Sequence, residues 1–165
     1  MAKTYRYFLP NNKGEGWSLI ILDQDGKECT LFANGDYDGH TARFYTDKDI
    51  RDFMLGVDSD YLLSKISTEN VFNASKTEQS IKQKIIEART SGRYDKQEAR
   101  EEWTLLKDGI EWEADFHNWV AETRMGLYDA ADLAYYEYPL RARAFAYQVL
   151  PRLQQVIRKD IENAS

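Results

Sequence analysis

The chain of 165 residues carries a single cysteine, Cys29, which excludes an intramolecular disulfide and any metal cluster built on cysteines. A lone thiol in an apolar run is expected to lie buried in a strand as a small hydrophobe. No apolar run approaches the ~20 residues of a membrane span, and none follows Met1-Ala2-Lys3, so a cytoplasmic protein with no membrane partner is expected. Histidine is almost as scarce as cysteine, with only His40 and His117, and no Gly-x-Ser-x-Gly, His-Glu-x-x-His or phosphate-cradling glycine loop occurs. His117 has neither a nucleophile nor a second histidine beside it and reads as a surface or satisfied side chain. No catalytic residue, cofactor or metal is therefore assigned. Positive charge is also short, 22 Lys and Arg against 28 Asp and Glu, which gives a formal charge of −6. Direct nucleic-acid binding needs a basic surface and is not expected.

What the chain does have is rings: eleven Tyr, seven Phe and four Trp. So many aromatics exclude a disordered chain. The length and the lack of any long linker point to a single domain, 1–165, with a β-sheet part over 1–46 and a helical part over 47–165.

Residues 5–9 alternate and end at Pro10, residues 17–22 form a second apolar run, and residues 29–33 a third. Asp25-Gly26 between the last two runs is a hairpin signal. Asp23-x-Asp25-Gly26 has the opening of a calcium loop, but it sits between strands and lacks the later bidentate carboxylate. Ile20-Ile21-Leu22 is continuous, which predicts a central strand covered on both faces. Asn34-Gly35-Asp36-Tyr37-Asp38-Gly39-His40 is a run of turn formers leading to a fourth strand over 41–45. The first part thus reads as a four-stranded antiparallel meander.

Helices follow. Thr46 with Asp49 three residues on predicts an N-cap before Ile50, Phe53 and Met54, and Asp58 or Ser59 caps a second helix carrying Leu62, Leu63 and Ile66. Ser75-Lys76-Thr77-Glu78 reads as a capping box ahead of Ile81, Ile85, Ile86 and Ala88, and Asp95 to Glu98 repeats it ahead of Ala99, Trp103 and Leu106. So short a link between the two makes them antiparallel neighbours. Trp112, Phe116 and Trp119 form a core stripe at helical spacing, and Pro139 opens a last helix that Pro151 should kink or split. The fold class expected is α+β, a meander followed by about five or six helices packed on one face.

The order Gly35-Asp36-Tyr37, an aromatic strand, Phe53 and Leu55, then Asp58-x-Asp60-Tyr61-Leu62-Leu63-x-Lys65 resembles a family of phage and prophage proteins over roughly the first hundred residues. Asp38 stands where that family often has Gly, and Phe44-Tyr45 where Trp is common. The resemblance implies a phage-borne origin, hence a bacterial host cell, and brings no activity with it.

Charge is uneven along the chain. From Asp95 to Glu122 nine acidic residues face three basic ones, whereas Pro139 to Ser165 carries five basic against two acidic. With the phage-like motif and the missing catalytic constellation, this predicts an accessory protein that binds and inhibits or modulates a host protein, such as an antiviral-defence component or nucleic-acid enzyme. The contact residues expected are Glu98, Glu101, Glu102, Glu111 and Glu113, with Tyr135, Tyr136 and Tyr138 as an exposed aromatic patch. An alternative is a metal-dependent enzyme or small-ligand protein using the loop of Asp36, Tyr37, Asp38 and His40, whose carboxylates and imidazole suit divalent ions. A third reading is a phage structural or assembly protein forming a homodimer or larger homo-oligomer.

Overall fold

The computed structural model describes residues 2–164. In chain order the strands β1 (Lys3–Leu9), β2 (Ser18–Asp25), β3 (Glu28–Gly35) and β4 (His40–Tyr45) precede the helices α1 (Ile50–Leu55) and α2 (Ser59–Ile66). Then come β5 (Val71–Phe72), α3 (Ala74–Thr90), α4 (Lys96–Thr104), α5 (Glu113–Glu122), α6 (Leu127–Ala131) and β6 (Tyr136–Glu137). The chain closes with α7 (Leu140–Ala144), a π-helical turn (Phe145–Val149) and α8 (Leu150–Ala164). The fold is α+β. It divides into two compact units: the chain up to Thr68 together with the chain from Tyr138 onward, and the segment Glu69–Glu137.

In the first unit the four strands pair antiparallel in sequence order. Asp25 and Glu28 are register partners, so the two-residue loop is Gly26-Lys27. Asp25 is thus the last residue of the strand, and positive φ is needed only at Gly26 (60°), the first central position. One face of the sheet, with Leu9, Ile20, Leu22, Leu31 and Phe44, is buried against Ile50 and Met54 of α1 and against Phe145, Leu150, Leu153 and Ile157. Each such side chain contributes about 1.5–3 kcal/mol by leaving water. Cys29 is buried in β3, and burial pushes its thiol pKa up.

The opposite face of the sheet is open, which corrects the expectation that β2 is covered on both sides. Pleating turns Ile21 to that open face, where it lies half-buried across from Phe32, itself 47% exposed. Cross-strand neighbours shelter Ile21 there in place of a second layer.

Polar side chains fix how the helices meet the sheet. The buried Gln24 accepts from the Ile50 N–H at 2.9 Å and donates to the Lys48 carbonyl at 2.9 Å, setting the start of α1. Asp49, not Thr46, is the N-cap of α1: its carboxylate takes the Arg51 N–H, whereas the Thr46 hydroxyl accepts from the Lys48 N–H, ahead of the helix. Gln154 of α8 donates to the carbonyls of Met54 and Val57 at the far end of α1. Pro151 lies in the first turn of α8, immediately after the π-helical turn, whose wider hydrogen-bond spacing accommodates the missing N–H and the bulky ring without breaking the helix.

The second unit has its own core of Ile81, Ile85, Leu106, Ile110, Phe116 and Trp119, and β5 pairs with β6. Asn73, rather than Ser75, caps α3, and Glu78 is engaged by Lys82 and by the Ile110 N–H at 3.1 Å, which lower its pKa. The capping box at Asp95 forms as the spacing predicts. Trp112 is not core: it is the N-cap of α5, 71% exposed, because the helix starts one residue after it.

Two predictions concern the first unit. Gly35 faces Ser18, and a Cβ at Gly35 would stand 2.2 Å from the Trp17 carbonyl oxygen and 2.9 Å from the Ser18 Cα. Both are backbone atoms, so Gly35→Ala should lower unfolding free energy by about 2 kcal/mol in urea denaturation. Asp49 is the second. Burial would raise its carboxyl, but bonds from Lys3, the Arg51 N–H, Tyr5 and the Arg51 guanidinium outweigh this and bring it from 3.8 down to about 2. A depressed carboxylate stabilises the fold above its unfolded pKa, and that contribution is lost as pH falls from about 3.8 through about 2. Screening at this partly exposed site leaves about 1–2 kcal/mol. Asp49→Asn keeps the cap but should flatten this part of the stability–pH curve.

Candidate functional site

The acidic stretch separates into two populations. At the junction of α4 and α5, Arg124 is held by three glutamates: Glu98 at 2.9 Å, Glu102 at 3.3 Å, and Glu101. Glu102 is 2% exposed and also accepts from the Thr123 hydroxyl and, at 3.0 Å, from the Arg124 N–H. It pins the end of α5 to α4. Glu98 also closes the Asp95 capping box, and Glu101 accepts from Gln97. These three of the five expected contact carboxylates therefore have structural bonds.

The second population is on and around α5. Asp108, Glu111 and Glu122 are exposed and enter no ion pair among the described residues. Glu113 is also exposed, accepts from the Tyr136 hydroxyl, and lies 3.9 Å from His117 one helical turn on. The Glu113 bond raises the Tyr136 pKa by favouring the protonated hydroxyl. Tyr135 is exposed, with Lys76 4.5 Å above its ring. Tyr138 belongs to the other unit, where it packs against the cluster of Leu63, Ala142 and Ala146.

The distribution of charge sharpens this division. Glu69–Glu137 contains fifteen acidic and nine basic side chains, the whole −6 of the protein, whereas the other unit carries thirteen of each and is neutral. The basic C-terminal stretch is partly used inside that neutral unit. Arg152 donates to the carbonyls of Glu15 (3.0 Å) and Gly16 (2.9 Å), and Arg141 pairs with Asp38.

The loop from Asp36 to His40 is fixed by its own protein. The Asp36 carboxylate accepts from the Trp17 N–H at 3.0 Å, and Tyr37 Oη donates to the Glu15 carbonyl at 2.8 Å and lies 2.6 Å from the Gln148 side-chain amide. His40 Nε2 donates to the Tyr37 carbonyl at 2.6 Å, and its ring packs 4.7 Å from that of Phe145. Asp38 takes a positive φ of 69°. The Gly35-Asp36-Tyr37 sequence thus has a structural explanation: close backbone approach, a carboxylate that closes the hairpin, and a ring that docks on the C-terminal helix. Among the described residues, no three Asp, Glu, His or Cys side chains converge as they would around an ion.

Two arrangements have little signal in the sequence. Arg124 is an isolated cation whose partners lie more than twenty residues upstream. Ile86, counted with Ile85 on the apolar side of α3, in fact faces outward, since adjacent helical positions are about 100° apart; reading it as a separate stripe would have found it. Among the described residues no helix is long and apolar enough to cross a membrane.

Comparison with curated proteins gives no match, and comparison with solved structures gives none. A family model described as a phage family, Phage_phiTE_072, matches residues 1–159. The chain therefore belongs to this phage family.

Proposed function

We propose that this phage protein is an accessory factor that binds a host protein through the acidic unit Glu69–Glu137. The observation that carries the reading is the segregation of charge, with the entire −6 in one unit and carboxylates at Asp108, Glu111, Glu113 and Glu122 exposed to solvent. A compact acidic surface accelerates and orients encounter with a basic partner over about a Debye length. It also repels acidic competitors. Partners of suitable chemistry are proteins with a basic groove made for phosphates, such as nucleic-acid enzymes or defence components that handle nucleic acid. Because Glu98, Glu101 and Glu102 are occupied with Arg124, the interface is narrowed to the α5 carboxylates and their flanks.

Two measurements follow. Asp108→Asn, Glu111→Gln, Glu113→Gln and Glu122→Gln together should abolish capture of a stoichiometric host protein from nuclease-treated lysate, with the far-UV circular dichroism unchanged. Equal capture by this variant and the parent, or no captured protein with either, would sink the reading. Glu102→Ala should behave differently: it leaves the Thr123 hydroxyl and the Arg124 N–H without their acceptor and lowers unfolding free energy by about 2 kcal/mol, read as an earlier thermal transition.

A further inference from the structure

The acidic unit also carries a groove of the opposite character. α3 and α4 pack antiparallel, joined by the turn 91–95, in which Gly92 takes a φ of 76° and the Tyr94 N–H bonds the Ala88 carbonyl. The core side of α3 is Ile81, Ile85 and Ala88. Ile86 projects to the outer side and is 48% exposed, and Trp103 of α4 is 45% exposed. Together with Ile85 and Ala99 they line an open apolar groove of about 310 Å³. Arg89, Lys96 and Arg100 line it too, all three are exposed, and their side chains enter no ion pair among the described residues.

In a unit of formal charge −6, three unpaired cations around one apolar groove stand out, because the same unit pairs Arg124 with three glutamates. We propose that this groove docks an acidic amphipathic segment of a partner protein, with apolar anchors against Ile86 and Trp103 and carboxylates on Arg89, Lys96 and Arg100. The inference goes beyond the acidic-surface reading and does not depend on it.

Three features select that occupant. A cleft between two antiparallel helices with an aliphatic floor suits the ridge of a helical or extended peptide, whose anchors recur at i, i+3, i+4 and i+7. Trp and Arg are the residues that most often dominate binding energy at protein interfaces. A nucleic acid fits less well. Trp103 is the only ring lining the groove, so successive bases have no stacking platform, and the unit's net negative charge repels a polyanion at long range. A short segment with a few carboxylates meets only the local positive field.

The test uses the full chain and two fluorescein-labelled peptides that share Leu and Phe at i, i+3, i+4 and i+7, one with three Glu and the other with three Gln at the same flanking positions. Fluorescence anisotropy should show the Glu peptide binding about tenfold or more tightly than the Gln peptide, the change expected from two exposed ion pairs. Arg89→Glu with Arg100→Glu should reverse that preference, and Ile86→Asp should abolish binding of the Glu peptide, with melting curves unchanged in both variants. Equal affinity for the two peptides, or a preference insensitive to Arg89→Glu with Arg100→Glu, overturns the proposal. So does tighter binding of a labelled oligothymidylate that the same substitutions remove. Light scattering that finds a dimer lost in the double variant assigns the groove to a second copy of this chain, and likewise overturns it.

Discussion

Everything in the first unit depends on a closure between distant parts of the chain. The four strands are complete by Tyr45, and α1 follows at once, yet the cover of their inner face is finished only by the helical stretch that begins at Leu140, which adds Phe145, Leu150, Leu153 and Ile157 to Ile50 and Met54. Bringing the ends of so long an intervening segment together costs entropy that grows only logarithmically with its length, so the burial of these side chains can offset it. The bonds that lock the closure are polar and specific. Gln154 takes two carbonyls at the end of α1, Arg152 takes two in the β1–β2 loop, and Tyr7 donates to Asp160 at 3.0 Å.

The same constraint shapes the second unit. A segment inserted in the sequence of another compact unit must begin and end close together and must bury its own apolar residues. β5 and β6 meet the first demand by pairing Val71 with Glu137 and Phe72 with Tyr136. Ile81, Ile85, Leu106, Phe116 and Trp119 meet the second. With a core this small, buried polar groups matter more, and Glu102 and Glu78 each tie one helix to the backbone that follows another.

Legibility in the sequence followed the range of the interactions. The meander was legible because alternation, Gly26 and the Asn34–His40 turn formers act within a few residues, and the caps at Asp58 and Asp95 were legible for the same reason. Where two local readings competed, tertiary bonds decided: Asp49 caps α1 because Lys3 and Tyr5 also converge on it, and Glu78 leaves its capping role for Lys82 and the Ile110 N–H. The roles of Ile21 and Trp112 turn on which face another layer covers, and a periodicity does not state that. The acidic stretch was legible as a composition but not as two populations, since the division depends on Arg124 meeting glutamates more than twenty residues away.

That division bears on function through the charges that folding leaves unused. An exposed carboxylate or guanidinium without a partner adds little to stability and, when clustered with its own sign, detracts from it. Asp108, Glu111 and Glu122 form one such set, and Arg89, Lys96 and Arg100 another, in the same unit. Folding makes no use of either set, although opposite charges so near in sequence could have paired, as Glu98, Glu101 and Glu102 do with Arg124. Keeping the two signs apart preserves a local field at each surface, and the cationic set shares one groove with exposed apolar side chains, Ile86 and Trp103. A purely solvated face has no need of that juxtaposition, whereas a binding groove needs both an anchor and a charge that orients it.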